Sequence, residues 1–133
     1  MEESVIMDEL QFHAELIAGL QEEYTSDDIV YGIFFGEGDP EEGGQHWNFT
    51  RNLNADDRVC TVKEIQEITI YGGIEDFTLT RQKLVCEFNE ATAQVTQIRK
   101  LIITFDIDDE VWTQLSMQAK LVFNGESYFK FVP

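Results

Sequence analysis

The chain has 133 residues, with 26 acids, nine Lys or Arg and a formal net charge of −17. Thirteen of the acids lie in residues 1–50, and the first basic residue is Arg51. A surface this negative repels nucleic acid and anionic lipid, which excludes both as partners, and it attracts basic proteins.

At 43% apolar and 12% aromatic, the sequence has the composition of a folded chain despite its charge. Its length fits one domain, residues 1–133, with a core that needs no disulfide or metal staple. No basic stretch followed by an apolar one opens the sequence, so no secretory signal is expected. The longest apolar run, Ile29 to Phe35, is far too short to span a bilayer. Cys60 and Cys86 lack CxxC spacing and His neighbours. They read as buried small hydrophobes in a reducing compartment. A cytoplasmic protein is expected.

Residues 8–24 fit two patterns. Leu10, Ile17, Leu20 and Tyr24 match a helix, whereas Phe12, Ala14, Leu16 and Ala18 match a strand. Gly19 weakens the helix by about 1 kcal/mol relative to Ala. Ile29–Phe35 is a continuous apolar run ending at Gly36, the pattern of a strand buried on both faces. Gly36 to Gly44 holds glycines, Pro40 and four acids, so it is a loop. Trp47–Arg51 alternates as a half-buried strand. Arg58–Lys63 and Glu67–Tyr71 are rich in β-branched residues, with Ile68 and Ile70 on one face. Gly72-Gly73 marks a tight turn or bulge. A hairpin follows, with Phe77 and Leu79 before the Thr80–Lys83 turn and Leu84, Cys86 and Phe88 after it.

Asn89 suits the N-cap of a helix over Glu90–Arg99, with Ala91, Val95 and Ile98 inward. Arg99 and Lys100 would complement its dipole. Leu101–Phe105 reads as a buried strand. Asp108 then caps a second helix whose apolar face is Val111, Leu115, Ala119 and Val122, stopped by Asn124-Gly125. Tyr128–Val132 is a short strand or a packed tail. The class is α+β: an antiparallel-rich sheet with one or two amphipathic helices in the C-terminal half.

Catalytic and metal motifs are missing. His13 and His46 are far apart in sequence, and there is no HExxH. Asp106–Glu110 resembles the start of a calcium loop. The loop requires Gly at its sixth position and Glu at its twelfth, where this chain has Val111 and Met117. Strand end plus helix cap explains the cluster better. There is no GxSxG, GxGxxG or GxxxxGK[ST]. No enzyme activity and no cofactor are expected. Trp47 beside the acidic loop is either an interface anchor or, more ordinarily for Trp, a core residue. Arg51 likewise has two readings, a partner contact or internal pairing with the nearby acids.

Several segments in order resemble one family. They are Phe12–Ala18, Ile29–Gly36, Trp47-Asn48-Phe49-Thr50-Arg51, Val59–Val62, Thr69-Ile70-Tyr71-Gly72-Gly73-Ile74, Leu84–Phe88, Leu101–Phe105 and the closing amphipathic helix. The order is similar to that of the bacterial immunity protein ten family of polymorphic toxin systems, over residues 12–123. The resemblance implies that residues 12–18 form a strand. It also implies a non-catalytic protein that binds and neutralises a cognate toxin domain, often one encoded next door. The acidic loop Glu37–Gly44 and the tail after Phe123 depart from the family pattern.

The expected mechanism is steric and electrostatic blocking of a basic toxin surface, such as that of a nuclease. Asp27, Asp28, Glu37, Asp39, Glu41 and Glu42 would supply the charge, with Trp47 as anchor. The alternative is a generic acidic interaction module or nucleic-acid mimic with a basic partner. Neither reading sets the oligomeric state.

Overall fold

The computed structural model describes residues 6–38, 40–42, 44–52, 58–63 and 68–133. Ten strands and two helices lie within them. In chain order the first elements are β1 (Met7–His13), β2 (Leu16–Thr25), β3 (Asp28–Gly36), β4 (His46–Asn52), β5 (Cys60–Lys63) and β6 (Ile68–Tyr71). Then come β7 (Ile74–Thr80), β8 (Lys83–Phe88), α1 (Glu90–Thr96), β9 (Ile98–Thr104), α2 (Asp109–Val122) and β10 (Phe129–Val132). The class is α+β, with both helices in the C-terminal half.

The strands form two sheets. One is an antiparallel meander, β2-β3-β4-β5-β6. The other is mixed, in the order β1-β9-β8-β7-β10. Its three middle strands are antiparallel, and its edges β1 and β10 pair in parallel with β9 and β7. The crossing from mixed sheet to meander is made at Ala14-Glu15. Ala14 N–H still donates to Thr104 O (2.8 Å), and Glu15 N–H already donates to Gly36 O (2.9 Å). The strand expected over residues 12–18 is therefore two strands meeting at a corner, and the helical pattern of residues 8–24 is not used.

The sheets face each other through aromatic rings. Phe49 of β4 meets Phe77 of β7 edge-on at 5.0 Å, and Phe77 lies 4.1 Å from Phe123. α2 seals the side against β2 and β3. Asp108 caps it by accepting from Val111 N–H (2.9 Å), and Leu115, Ala119 and Val122 are buried as their spacing requires. Gly19 permits this approach, because a Cβ there would stand 2.7 Å from Gln114 O.

α1 is shorter than expected. Asn89 caps it, accepting from Thr92 N–H at 2.8 Å, but Gln97 turns left-handed (φ 68°) and ends it. Ile98, Arg99 and Lys100 belong to β9, where Met7 of β1 pairs with Ile98, and Glu9 of β1 and Glu87 of β8 pair with Lys100. Sheet pairing on both sides outweighs another helical turn. The buried residues of α1 are Thr92, Ala93 and Thr96, and Val95 faces solvent. Arg99 reaches back to Glu90 in the first turn instead of complementing the last.

Candidate partner-binding face

The inner row of the meander sheet is core: Ile33 and Phe35 on β3, Trp47 and Phe49 on β4. Because side chains alternate, the opposite row points outward. Register pairs Leu20 with Gly32 and Gly32 with Thr50. It also pairs Glu22 with Val30, Phe34 with Asn48, and Asn48 with Val62. Leu20 and Tyr24 are 52% and 64% exposed, and Val30, Phe34 and Val62 are half-buried. No described helix or strand lies across this face. β3 is thus buried on one face, not two.

Strands β2 to β6 point no Lys or Arg outward. Arg51 turns inward, donating to Asn124 O at 2.9 Å at the end of α2 and pairing with Glu126 at 3.2 Å. It pairs internally, but with an acid far along the chain and not with the nearby acids expected. Lys63 also turns inward, its Nζ 5.7 Å from the Trp47 ring centroid and 3.2 Å from Thr96 O. Arg58, exposed just before β5, stands at the Gly72 corner and lines a shallow depression on the outward side with Val30, Thr50, Cys60 and Tyr71.

Trp47 is not a surface anchor. It is 0% exposed and stacks on Phe88 at 6.1 Å. The alternation that groups Trp47 with Phe49 and Arg51 sets that row inward, because two sheets bury more apolar area than one face against water.

The candidate acids fall into two groups. Asp27 and Asp28 lie at the β2–β3 turn, where Asp28 accepts from the Asn52 amide. Glu37, Glu41 and Glu42 are exposed at the other end of β3, with a 3-10 turn at Pro40–Glu42. Asp39 lies outside the described residues. The nine residues of β3 set the groups roughly 27 Å apart, at about 3.4 Å per residue. That is over three times the Debye length of about 8 Å, so the groups act as separate charges at two ends of one face.

His46, weighed in the sequence only as a metal ligand and as the neighbour of Trp47, fastens the loop of the second group. It is buried, 6.1 Å from the Phe34 ring centroid. Its Nδ1 lies 2.7 Å from Gly44 O and its Nε2 2.8 Å from Gly38 O. Carbonyl oxygens only accept, so a neutral ring donates to one and a doubly protonated ring to both. Glu37 adds a brace, accepting from Gln45 N–H at 3.1 Å.

At the β2 edge, Tyr24 donates its hydroxyl to Glu22 Oε2 at 2.6 Å. That hydrogen bond, with repulsion from the same carboxylate, raises the Tyr24 pKa above its ordinary 10.0. Leu20, Glu22, Tyr24 and Gly32 were missed as a site. Their signal was the alternate row Leu16, Ala18, Leu20, Glu22, Tyr24, in a segment where Leu10, Ile17, Leu20 and Tyr24 fit a helix equally well.

A wider depression of about 670 Å³ lies between α2 and β10, against Trp112, Met117 and Phe131. Trp112 stacks on Phe131 at 5.5 Å, and Lys120 Nζ stands 4.4 Å from the Phe131 ring. Its rings stack on each other and Lys120 is the charged side chain in its lining, so it does not share the acidic flanks of the meander face. Among the described residues no cluster of His, Cys, Asp or Glu is arranged to hold a metal ion, and no helix is long and apolar enough to cross a membrane. No protein-family model, curated protein or solved structure matches the chain.

Proposed function

We propose that the chain is an immunity-type binding protein that docks on a basic toxin domain and blocks it without catalysis. The observation that carries this reading is the uncovered apolar row of the meander sheet, with acids at both ends of β3 and Arg58 beside it just before β5. The flat area of the face is roughly 500 Å², from a strand spacing of about 4.8 Å and about 3.4 Å per residue. A standard interface takes about 800 Å² from each partner, so the acidic tips are needed to complete it.

The two parts divide the work. The acids speed encounter and confer salt dependence, whereas Leu20, Phe34 and Tyr24 supply the desolvated contacts that hold the complex. A nucleic-acid mimic needs a continuous acidic track, and here an apolar row separates two clusters. The reading places the protein in the cytoplasm, where the free thiols of Cys60 and Cys86 stay reduced.

The test is co-purification with the product of the adjacent gene, at low and high salt. One-to-one capture with loss of the partner's toxicity is expected, and Leu20→Asp should abolish it while the circular dichroism spectrum is unchanged. Absence of capture at either salt overturns the immunity reading. Capture that survives Leu20→Asp moves the interface off this face.

A further inference from the structure

One bare backbone position interrupts the outward row. Gly32 stands mid-strand on β3, with Leu20 of β2 on one side and Thr50 of β4 on the other. A Cβ at Gly32 would meet Thr50 Cγ2 at 3.1 Å. Without it, a trough of about 300 Å³ lies open over the sheet. Leu20, Val30 and Val62 give it apolar walls. The Tyr24 ring and the Glu22 carboxylate line it together, locked by their 2.6 Å hydrogen bond. Asn48 and Thr50 add an amide and a hydroxyl to the wall on the β4 side.

An apolar slot that also carries a carboxylate and an aromatic face has the chemistry of an arginine receptor. An arginine stem is apolar and its head is a planar cation that stacks on rings and forks onto carboxylates. We infer that the trough receives an arginine side chain from the basic partner. The methylenes lie over Gly32 against Leu20 and Val62. The guanidinium stacks on Tyr24 and donates to the Glu22 carboxylate. Charge favours this occupant: Glu22 lines the trough and, among the described residues, no Lys or Arg does, Arg58 lying in the neighbouring depression with Val30, Thr50, Cys60 and Tyr71, and acids stand at both ends of β3. Lysine fits less well, because its compact ammonium is more strongly hydrated and cannot stack as a plane.

This inference deepens the proposed function by naming the group that the face selects, and its test does not need the toxin. The full chain is titrated with N-acetyl-arginine amide and followed by amide NMR. Saturable shifts are expected at Glu22, Gly32 and Thr50. The neutral isostere N-acetyl-citrulline amide should leave these resonances in place, and N-acetyl-lysine amide should bind more weakly than the arginine compound. Gly32→Val fills the trough and should remove the shifts. Glu22→Gln, an exposed substitution that cannot disturb the core, should weaken binding about two- to fivefold.

Three results overturn the inference: no saturable shift at these amides, equal shifts from arginine and citrulline, or equal affinity for lysine. Unchanged binding by Glu22→Gln overturns it too, so the conclusion stands even if Gly32→Val fails to fold. A chain that binds arginine here but captures no adjacent-gene product keeps the receptor and loses the immunity reading. The reverse pair of results keeps the partner and moves its contacts elsewhere.

Discussion

Gly73 and Gly125 form a natural pair for separating backbone strain from steric exclusion. Both have positive φ, +83° and +81°. A Cβ at Gly125 would meet nothing within 4 Å, whereas one at Gly73 would stand 1.9 Å from Thr92 Oγ1 and 2.9 Å from Thr92 Cβ. Gly125→Ala therefore reports the conformational cost alone. That cost is about 1 kcal/mol, once the smaller unfolded-state entropy of Ala offsets part of the left-handed penalty.

Gly73→Ala adds overpacking. Ordinary contact begins near 3.4 Å, so Thr92 must retreat by about 1.5 Å. Thr92 is buried in the first turn of α1, with its N–H held by the Asn89 cap and Asn89 N–H held in turn by Gly73 O at 2.9 Å. Overpacking costs about 1–3 kcal/mol and loss of a cap about 1 kcal/mol. The total for Gly73→Ala is about 3–5 kcal/mol.

Urea denaturation with an unchanged m-value is the assay. In thermal melts the expected losses are about 4 °C for Gly125→Ala and about 10–20 °C for Gly73→Ala, at about 4 °C per kcal/mol for this length. Thr92→Ala in the Gly73→Ala background removes Oγ1 and Cγ2 and should recover about 1–2 kcal/mol. Equal costs for the two glycines would refute the reasoning, since conformation would then account for everything and α1 would not press on the β6–β7 turn.

Other outcomes follow from the same geometry. Trp47→Phe should lower stability by about 1–3 kcal/mol in urea titrations, and the folded variant should bind partner like the parent, because Trp47 is wholly buried. Reduced partner affinity at full occupancy of the fold would contradict this. Arg51→Met leaves the Val122 and Asn124 carbonyls and Glu126 without its guanidinium. A loss of about 2 kcal/mol is expected, partly restored by Arg51→Lys. Alkaline pH should destabilise the fold. Burial raises the Cys86 thiol well above its ordinary 9.0 and the Tyr128 phenol above its ordinary 10.0. A raised folded pKa means stability is fully present below pH 9.0 and falls above it, because the unfolded groups ionise first. Stability measured from pH 7 to 11 should decline above about 9, and Cys86→Ala should flatten the first part of that decline. Stability that rises over this range would refute the burial argument.

The elements readable from the sequence are those whose signals are local. Asn89 and Asp108 cap the helices they were expected to cap, because a side-chain oxygen three residues before an N–H needs no distant partner. Leu115, Ala119 and Val122 show the helical period and are buried, and Gly72-Gly73 takes positive φ at a turn. The end of α1 was not readable. Ile98 continues a helical spacing, and only the arrival of β1, some ninety residues away, makes it a strand partner of Met7. Residues 8–24 carried two periods at once, and sheet pairing selected one.

The candidate site divides along the same line. Composition determined that the molecule as a whole is strongly negative, since net charge is the same whatever the fold. The run Ile29 to Phe35 determined a strand. Neither decided which of its rows would be covered. The second sheet and α2 cover one face of the meander, so Trp47 and Phe35 became core while Val30 and Phe34, on the opposite row, were left half-buried. Likewise the acids of residues 27–42 are neighbours in sequence, and β3 carries them to opposite ends of one face. An extended strand separates what the chain places close together, and only tertiary packing chooses which of its two faces is exposed.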